Sequence, residues 1–144
     1  VVAFSRGILV VATDGKVIDT ILAALSGMVE QVHPLVSAYL MLFVQVCINF
    51  FVPSGSGQAA LTMPIMTPLS DLIGISRQTA VLVFQFGDGF TNLIIPTSGV
   101  TMGVLGIANI PWEKWALWIL PLEIVFFLVA LLFIAIPVLF GWGP

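Results

Sequence analysis

Forty consecutive residues, Gln31 to Ser70, contain no Asp, Glu, Lys or Arg, and in their middle lies NFFVPSGSGQ, Asn49 to Gln58. A water-soluble domain would expose such a Gly-, Ser- and Pro-rich loop and mark its edges with charge. Here the flanks are Phe50, Phe51 and Val52 on one side and Ala59, Ala60 and Leu61 on the other. Within lipid, irregular backbone survives only where protein or a watery cavity satisfies its N–H and C=O groups. The loop is therefore a candidate binding site. A second stretch shares its pattern: Asn92 to Gly99 reads NLIIPTSG and Asn49 to Gly57 reads NFFVPSGSG. Both run Asn, two apolar residues, a β-branched residue, Pro and a hydroxyl residue, with Gly close behind. Pro and Gly interrupt helices, so two breaks of the same chemistry point to one site built from both.

A mean hydropathy of +1.19, with 60% hydrophobic and 8% charged residues, places the 144-residue chain among membrane proteins. The net charge is −3 and the four basic residues are scattered, which argues against a nucleic-acid partner. The single cysteine, Cys47, reads as a small buried hydrophobe. The chain starts at Val1 with an apolar stretch holding Arg6, not with a signal peptide, and is expected to be a fragment of a longer protein.

Taken in order, residues 1–12 read as the end of a helix. Residues 16–32 read as an amphipathic interfacial helix, with Val17, Ile21, Leu25, Met28 and Val32 on one side. Pro34 to Val52 is long enough to span a bilayer, roughly 28 Å as a helix. Ala59 to Ile73 runs back, making 34–73 a helical hairpin with its tip at 53–57. The tip lacks the Lys, Arg, Trp and Tyr that anchor surface loops, which favours a re-entrant hairpin over two full spans. Residues 79–110 read as a discontinuous span broken at GDGFTN, Gly87 to Asn92. Trp112 and Trp115 mark an interface, and 112–140 holds the final transmembrane helix.

Broken helices carry chemistry because helix starts offer unpaired N–H groups and helix ends offer carbonyls. Ser56 or Gln58 is expected to open one helix and Thr97 or Ser98 another, and two such positive ends suit a carboxylate. Carbonyls of helices ending near Phe51 and Phe86, with Ser, Thr and Asn side chains, suit Na⁺ or a cationic group. Asn49, Thr91 and Asn92 are the candidate Na⁺ ligands. Asp88, between Gly87 and Gly89, is the sharpest candidate, because a carboxylate at membrane depth is costly. Its alternative role is to brace unwound backbone, and Asn49 and Asn92 divide in the same way between ligand and brace. Glu123 reads as structural, and His33, Asp71 and Arg77 as residues flanking the membrane surface. Matched helix breaks lined by small polar residues are the marks of a secondary transporter site.

The stretch from NFFVPSGSGQ to GDGFTNLIIPTSG resembles the C-terminal half of the C4-dicarboxylate anaerobic carriers, and most closely their YfcC-like branch of basic amino-acid antiporters, within the ion transporter superfamily. The resemblance covers nearly the whole chain. It implies an all-α membrane protein, one half of an inverted-repeat transporter, in which a re-entrant hairpin and a broken helix meet at the substrate and cation site. By position, Ser54, Gly55 and Ser56 would form the tip, and Asp88, Thr91, Asn92, Thr97 and Ser98 the broken helix. The tip reads Ser-Gly-Ser where the superfamily's sodium/dicarboxylate members carry Ser-Asn-Thr, so neither sodium coupling nor dicarboxylate specificity follows from it.

The expected function is transport of a small carboxylate-bearing solute, a basic amino acid before a C4-dicarboxylate, by antiport or with Na⁺ or H⁺ coupling. The expected partners are the lipid bilayer, the substrate, the missing N-terminal half and, as one arrangement, a second copy in a homodimer. The bacterial inner membrane is the expected location. An intramembrane enzyme is the alternative from another class. A serine hydrolase would need a base near Ser54 or Ser56, but His33 lies about 30 Å back along a helix. An Asp71–Asp88 protease pair would join a surface residue to a mid-span one.

Overall fold

The computed structural model describes residues 14–16 and 32–141. The helix end at 1–12 and nearly all of the amphipathic helix at 16–32 lie outside them. Among the described residues five helices follow one another: α1 Pro34–Phe51, α2 Gly55–Ile73, α3 Arg77–Thr91, α4 Gly99–Ala108 and α5 Trp112–Phe140. Among them, α1 and α5 are long and apolar enough to cross a membrane.

Local chemistry sets the boundaries. Pro34 occupies the first turn of α1, where its missing N–H costs nothing, and His33 Nδ1 accepts from the Leu35 amide at 3.2 Å. The helix stops at Phe51 because Pro53 disfavours helical backbone at Val52, which sits at φ −127°, ψ 71°. Ser54, extended at φ −149°, caps α2 through its Oγ and the Gly57 amide. Gly74 closes α2 in the left-handed region at φ 79°. Ser76 then caps α3 through the Thr79 amide. At this turn Arg77 and Asp71 form an exposed ion pair at 2.7 Å. The Arg77 hydrogen bond holds the Asp71 carboxyl below the ordinary carboxylate range.

Two boundaries differ from the sequence reading. The link between α1 and α2 spans only Val52–Ser54, because Gly55, Ser56 and Gly57 are already helical. Glycine there disfavours a helix, but Gly57 and Gln58 are buried against the rest of the fold, and packing overrides propensity. The Gly87–Gly89 triplet is also helical. The chain breaks later, over residues 92–98, where Pro96 lies. The reason is tertiary: a Cβ on Gly87 would come 2.6 Å from Gln45 Cβ, so this glycine lets α3 cross α1 closely.

Helix α3 is the hub, packing on α1, α2 and α5, while α1 also meets α2 and α5. The core contains Ala38, Met41, Leu42, Met66, Leu69, Val83, Ala130 and Ile134. Phe90 stacks between Phe86 and Phe126, at centroid distances of 5.2 and 5.0 Å, which ties the end of α3 to α5. Tyr39 donates its hydroxyl to the Leu131 carbonyl at 3.0 Å, tying α1 to α5. The buried stripe of α1 includes Ser37, Met41, Gln45 and Asn49, one turn apart. Cys47 lies off that stripe and is exposed, which corrects the expectation that it is buried. Helix α4 buries only Leu105, leaving Val100 and Ile107 80% and 86% exposed.

Candidate functional site

The first turn of α2 and the last turn of α3 meet, and the contact is made by Gly55 and Asp88. A Cβ on Gly55 would lie 2.8 Å from Asp88 Oδ2, so only glycine leaves the carboxylate its place. Asp88 is half-buried in the last turn of α3. Its Oδ1 accepts from Asn92 Nδ2 at 3.0 Å, and the same amide donates to the Asp88 carbonyl at 2.8 Å.

Asn49, fully buried near the end of α1, reaches the same turn. Its Nδ2 donates to Thr91 Oγ1 at 2.6 Å and to the Asp88 carbonyl at 3.2 Å. The Thr91 hydroxyl in turn donates to the Gly87 carbonyl. Because that hydroxyl gives its proton away, it can only accept from Asn49, which fixes the amide's orientation. The Oδ1 atoms of both Asn49 and Asn92 are then buried acceptors with no hydrogen-bond partner. Orphaned acceptors of this kind need an explanation, and beside a carboxylate they amount to an electron-rich cluster.

The carbonyls of the break are satisfied from within. Asn92 O accepts from Thr101 Oγ1 at 2.6 Å, Leu93 O from Trp115 Nε1 at 2.8 Å and Ile94 O from Trp112 Nε1 at 2.8 Å. The two indoles thus hold the unwound segment onto the start of α5. The structure brings Asn49, Gly55, Asp88, Thr91 and Asn92 together. Ser54 caps α2, so the positive end of that helix opens at Ser54 and not at Ser56 or Gln58. Ser56 is exposed. Ser98 is buried and caps α4 through the Thr101 amide, whereas Thr97 points outward and is exposed. The expected carbonyl end at Phe86 is interior helix, and α3 ends at Thr91.

Sequence reading missed Gln45 and took Gln58 only as a helix start; both are fully buried. Gln58 Nε2 donates to the Gln45 side-chain and main-chain oxygens at 2.7 and 2.9 Å, tying α2 to α1 close to the link between them. The signal was present in α1, where Gln45 precedes Asn49 by one helical turn on the same buried face. Among the described residues no group of three His, Cys, Asp or Glu could hold a metal ion.

The start of α2 thus meets the end of α3 beside the break between α3 and α4. The crystal structure of the Alcanivorax borkumensis YdaH transporter, which has an unusual topology, matches with a TM-score of 0.74 and 25% identity, over 94% of this chain and 29% of that one. The chain belongs to the C4-dicarboxylate anaerobic carrier family, whose model matches residues 1–139. It is 46% identical over 119 residues to an Escherichia coli K12 protein named "Putative basic amino acid antiporter YfcC", covering 79% of this chain and 24% of that protein. An uncharacterized Haemophilus influenzae Rd protein is 32% identical over 122 residues, covering 85% and 24%. The chain therefore spans about a quarter of the length of these relatives.

Proposed function

We propose that this chain is part of one half of an inverted-repeat secondary transporter of the bacterial inner membrane. It carries a small carboxylate-bearing solute, a basic amino acid, by antiport or ion-coupled transport. In this reading α1 and α2 form a re-entrant hairpin, and α3 and α4 one discontinuous span. The solute lies at the first turn of α2, facing Ser54, Gly55 and Ser56, with Asp88 and Asn92 opposite and Thr97 and Ser98 at the start of α4. The observation that carries the proposal is the Asp88 carboxylate set against Gly55, with two orphaned Asn oxygens in the same cluster. Helix N-termini attract the solute's carboxylate. Asp88 with the amide oxygens of Asn49 and Asn92 attracts an ammonium or guanidinium group. Where Na⁺ is the coupling ion, the same two Asn oxygens ligate it and Thr91 orients Asn49. The counterpart half and, in a homodimer, a second copy complete the assembly.

A dicarboxylate is the second reading, favoured by the family's own substrate class. It leaves Asp88 facing an anion, which requires a cation or proton between them. Enzyme chemistry has less support. Asp71 is paired with Arg77 at the other end of α2, sixteen residues from Gly55, roughly 24 Å along the helix from Asp88.

The test is binding of arginine, ornithine and succinate to the full-length carrier, with and without Na⁺, in the parent and in Asp88→Asn. Leaving a desolvated cation unpaired costs about 3–5 kcal/mol, so Asp88→Asn should weaken arginine and ornithine at least a hundredfold. Undiminished arginine binding, or tighter succinate binding in the parent, would move the dicarboxylate reading ahead.

A further inference from the structure

Glu123 is the only ionisable side chain of α5 beyond its first turn, and it is 3% exposed. Neither carboxyl oxygen has a hydrogen-bond partner among the described residues. Its height in the fold is fixed by two contacts on either side of it along α5. Trp115 donates to the Leu93 carbonyl, and Phe126 stacks on Phe90. Glu123 is therefore level with the end of α3 and the break.

Among the described residues of the helices packed against α5, the groups that could answer it are engaged elsewhere. On α3, Arg77 is exposed and held by Asp71 at the far end, and Asp88 is bound by Asn92 and covered by Gly55. On α1, the Tyr39 hydroxyl is given to Leu131, Cys47 is exposed, and His33 caps the helix start. Residues 92–110 hold no ionisable side chain, and Glu113 and Lys114 are exposed in the first turn of α5.

A charged carboxylate buried without a partner is strongly disfavoured. Even the acid leaves its O–H and C=O unmatched, and a leucine would suit the position better. Among the described residues, packing and hydrogen bonding thus give no reason for a carboxyl here. Building on the transporter reading above, we propose that Glu123 is a proton carrier of the transport cycle. Its carboxyl holds a proton in the conformation described. When α5 shifts against the break and water reaches it, the O–H bond breaks and the proton passes to water. The carboxylate left behind is reprotonated before the site closes again.

Two measurements on the purified full-length carrier test this. Infrared spectra at neutral pH should show a protonated-carboxyl C=O band that is lost in Glu123→Gln and displaced in Glu123→Asp. In proteoliposomes, the ratio of arginine uptake driven by a pH gradient to arginine counterflow should fall at least tenfold in Glu123→Gln. Glu123→Asp should restore the pH dependence. Absence of the band, an identical band in Glu123→Gln, or an unchanged uptake ratio would overturn the assignment. Should Glu123→Gln fail to fold, an unmoved band and pH profile in Glu123→Asp would do the same. A parent that shows the band but no arginine counterflow would count against the transporter reading and leave the buried acid standing.

Discussion

Gly87 and Gly89 flank Asp88 in the same helix but face different surroundings. A Cβ at Gly87 would press on Gln45, whereas one at Gly89 meets nothing within 4 Å. Gly87→Ala should therefore overpack the crossing of α1 and α3, costing about 1–3 kcal/mol. Gly89→Ala should stabilise the helix by roughly 0.5–1 kcal/mol, because alanine loses less backbone freedom. Melting temperatures of the purified full-length carrier in detergent decide between them: the first variant should fall and the second hold or rise. Equal losses at both would show that the triplet serves as a flexible break. The same close-contact logic explains why an alanine at Gly55 would displace Asp88.

At the scale of elements, the break between α3 and α4 is held by side chains far along the chain. Trp112 donates to the partly buried Ile94 carbonyl, while the Trp115 bond to Leu93 is more exposed. Trp112→Phe keeps an aromatic ring and removes the donor, leaving that carbonyl unpaired at a cost of about 1–3 kcal/mol. Trp115→Phe should cost less, since water replaces its bond more easily. Thermal unfolding and the labelling rate of a cysteine placed at exposed Thr97 report the change. Labelling should quicken in Trp112→Phe. A rate unmoved in both variants would mean that the indoles do not hold the segment.

At the scale of the whole molecule, α4 presents apolar side chains on nearly every side and barely packs against the other helices. With about a quarter of the length of its relatives, the chain alone should fail to catalyse saturable arginine uptake in proteoliposomes. Uptake should return when the remaining segments of a full-length carrier are supplied. Saturable uptake by the 144 residues alone would show them to be a complete functional unit.

The sequence determined that the chain is apolar and helical and that its Pro- and Gly-containing segments cluster twice. It also carried the family motifs, since composition and local backbone chemistry act within a few residues. The start of α5 was legible for that reason, whereas the link was read as a tip at 53–57 and is Val52–Ser54 in the structure. Position within the fold was less so. Lipid chains and protein cores are equally apolar, so hydrophobicity could not place Cys47 on the outer face of α1 or Leu105 on the inner face of α4. The Gly87–Gly89 triplet resembled a break by propensity, yet in the structure it stays helical, with Gly87 at the close approach of Gln45. Asn49 lies thirty-nine residues from Asp88, and Trp112 lies eighteen from the carbonyl it holds. Tertiary structure alone brought those pairs together, because the packing of α1 and α5 on α3 decides which polar groups find partners and which, like Glu123, do not.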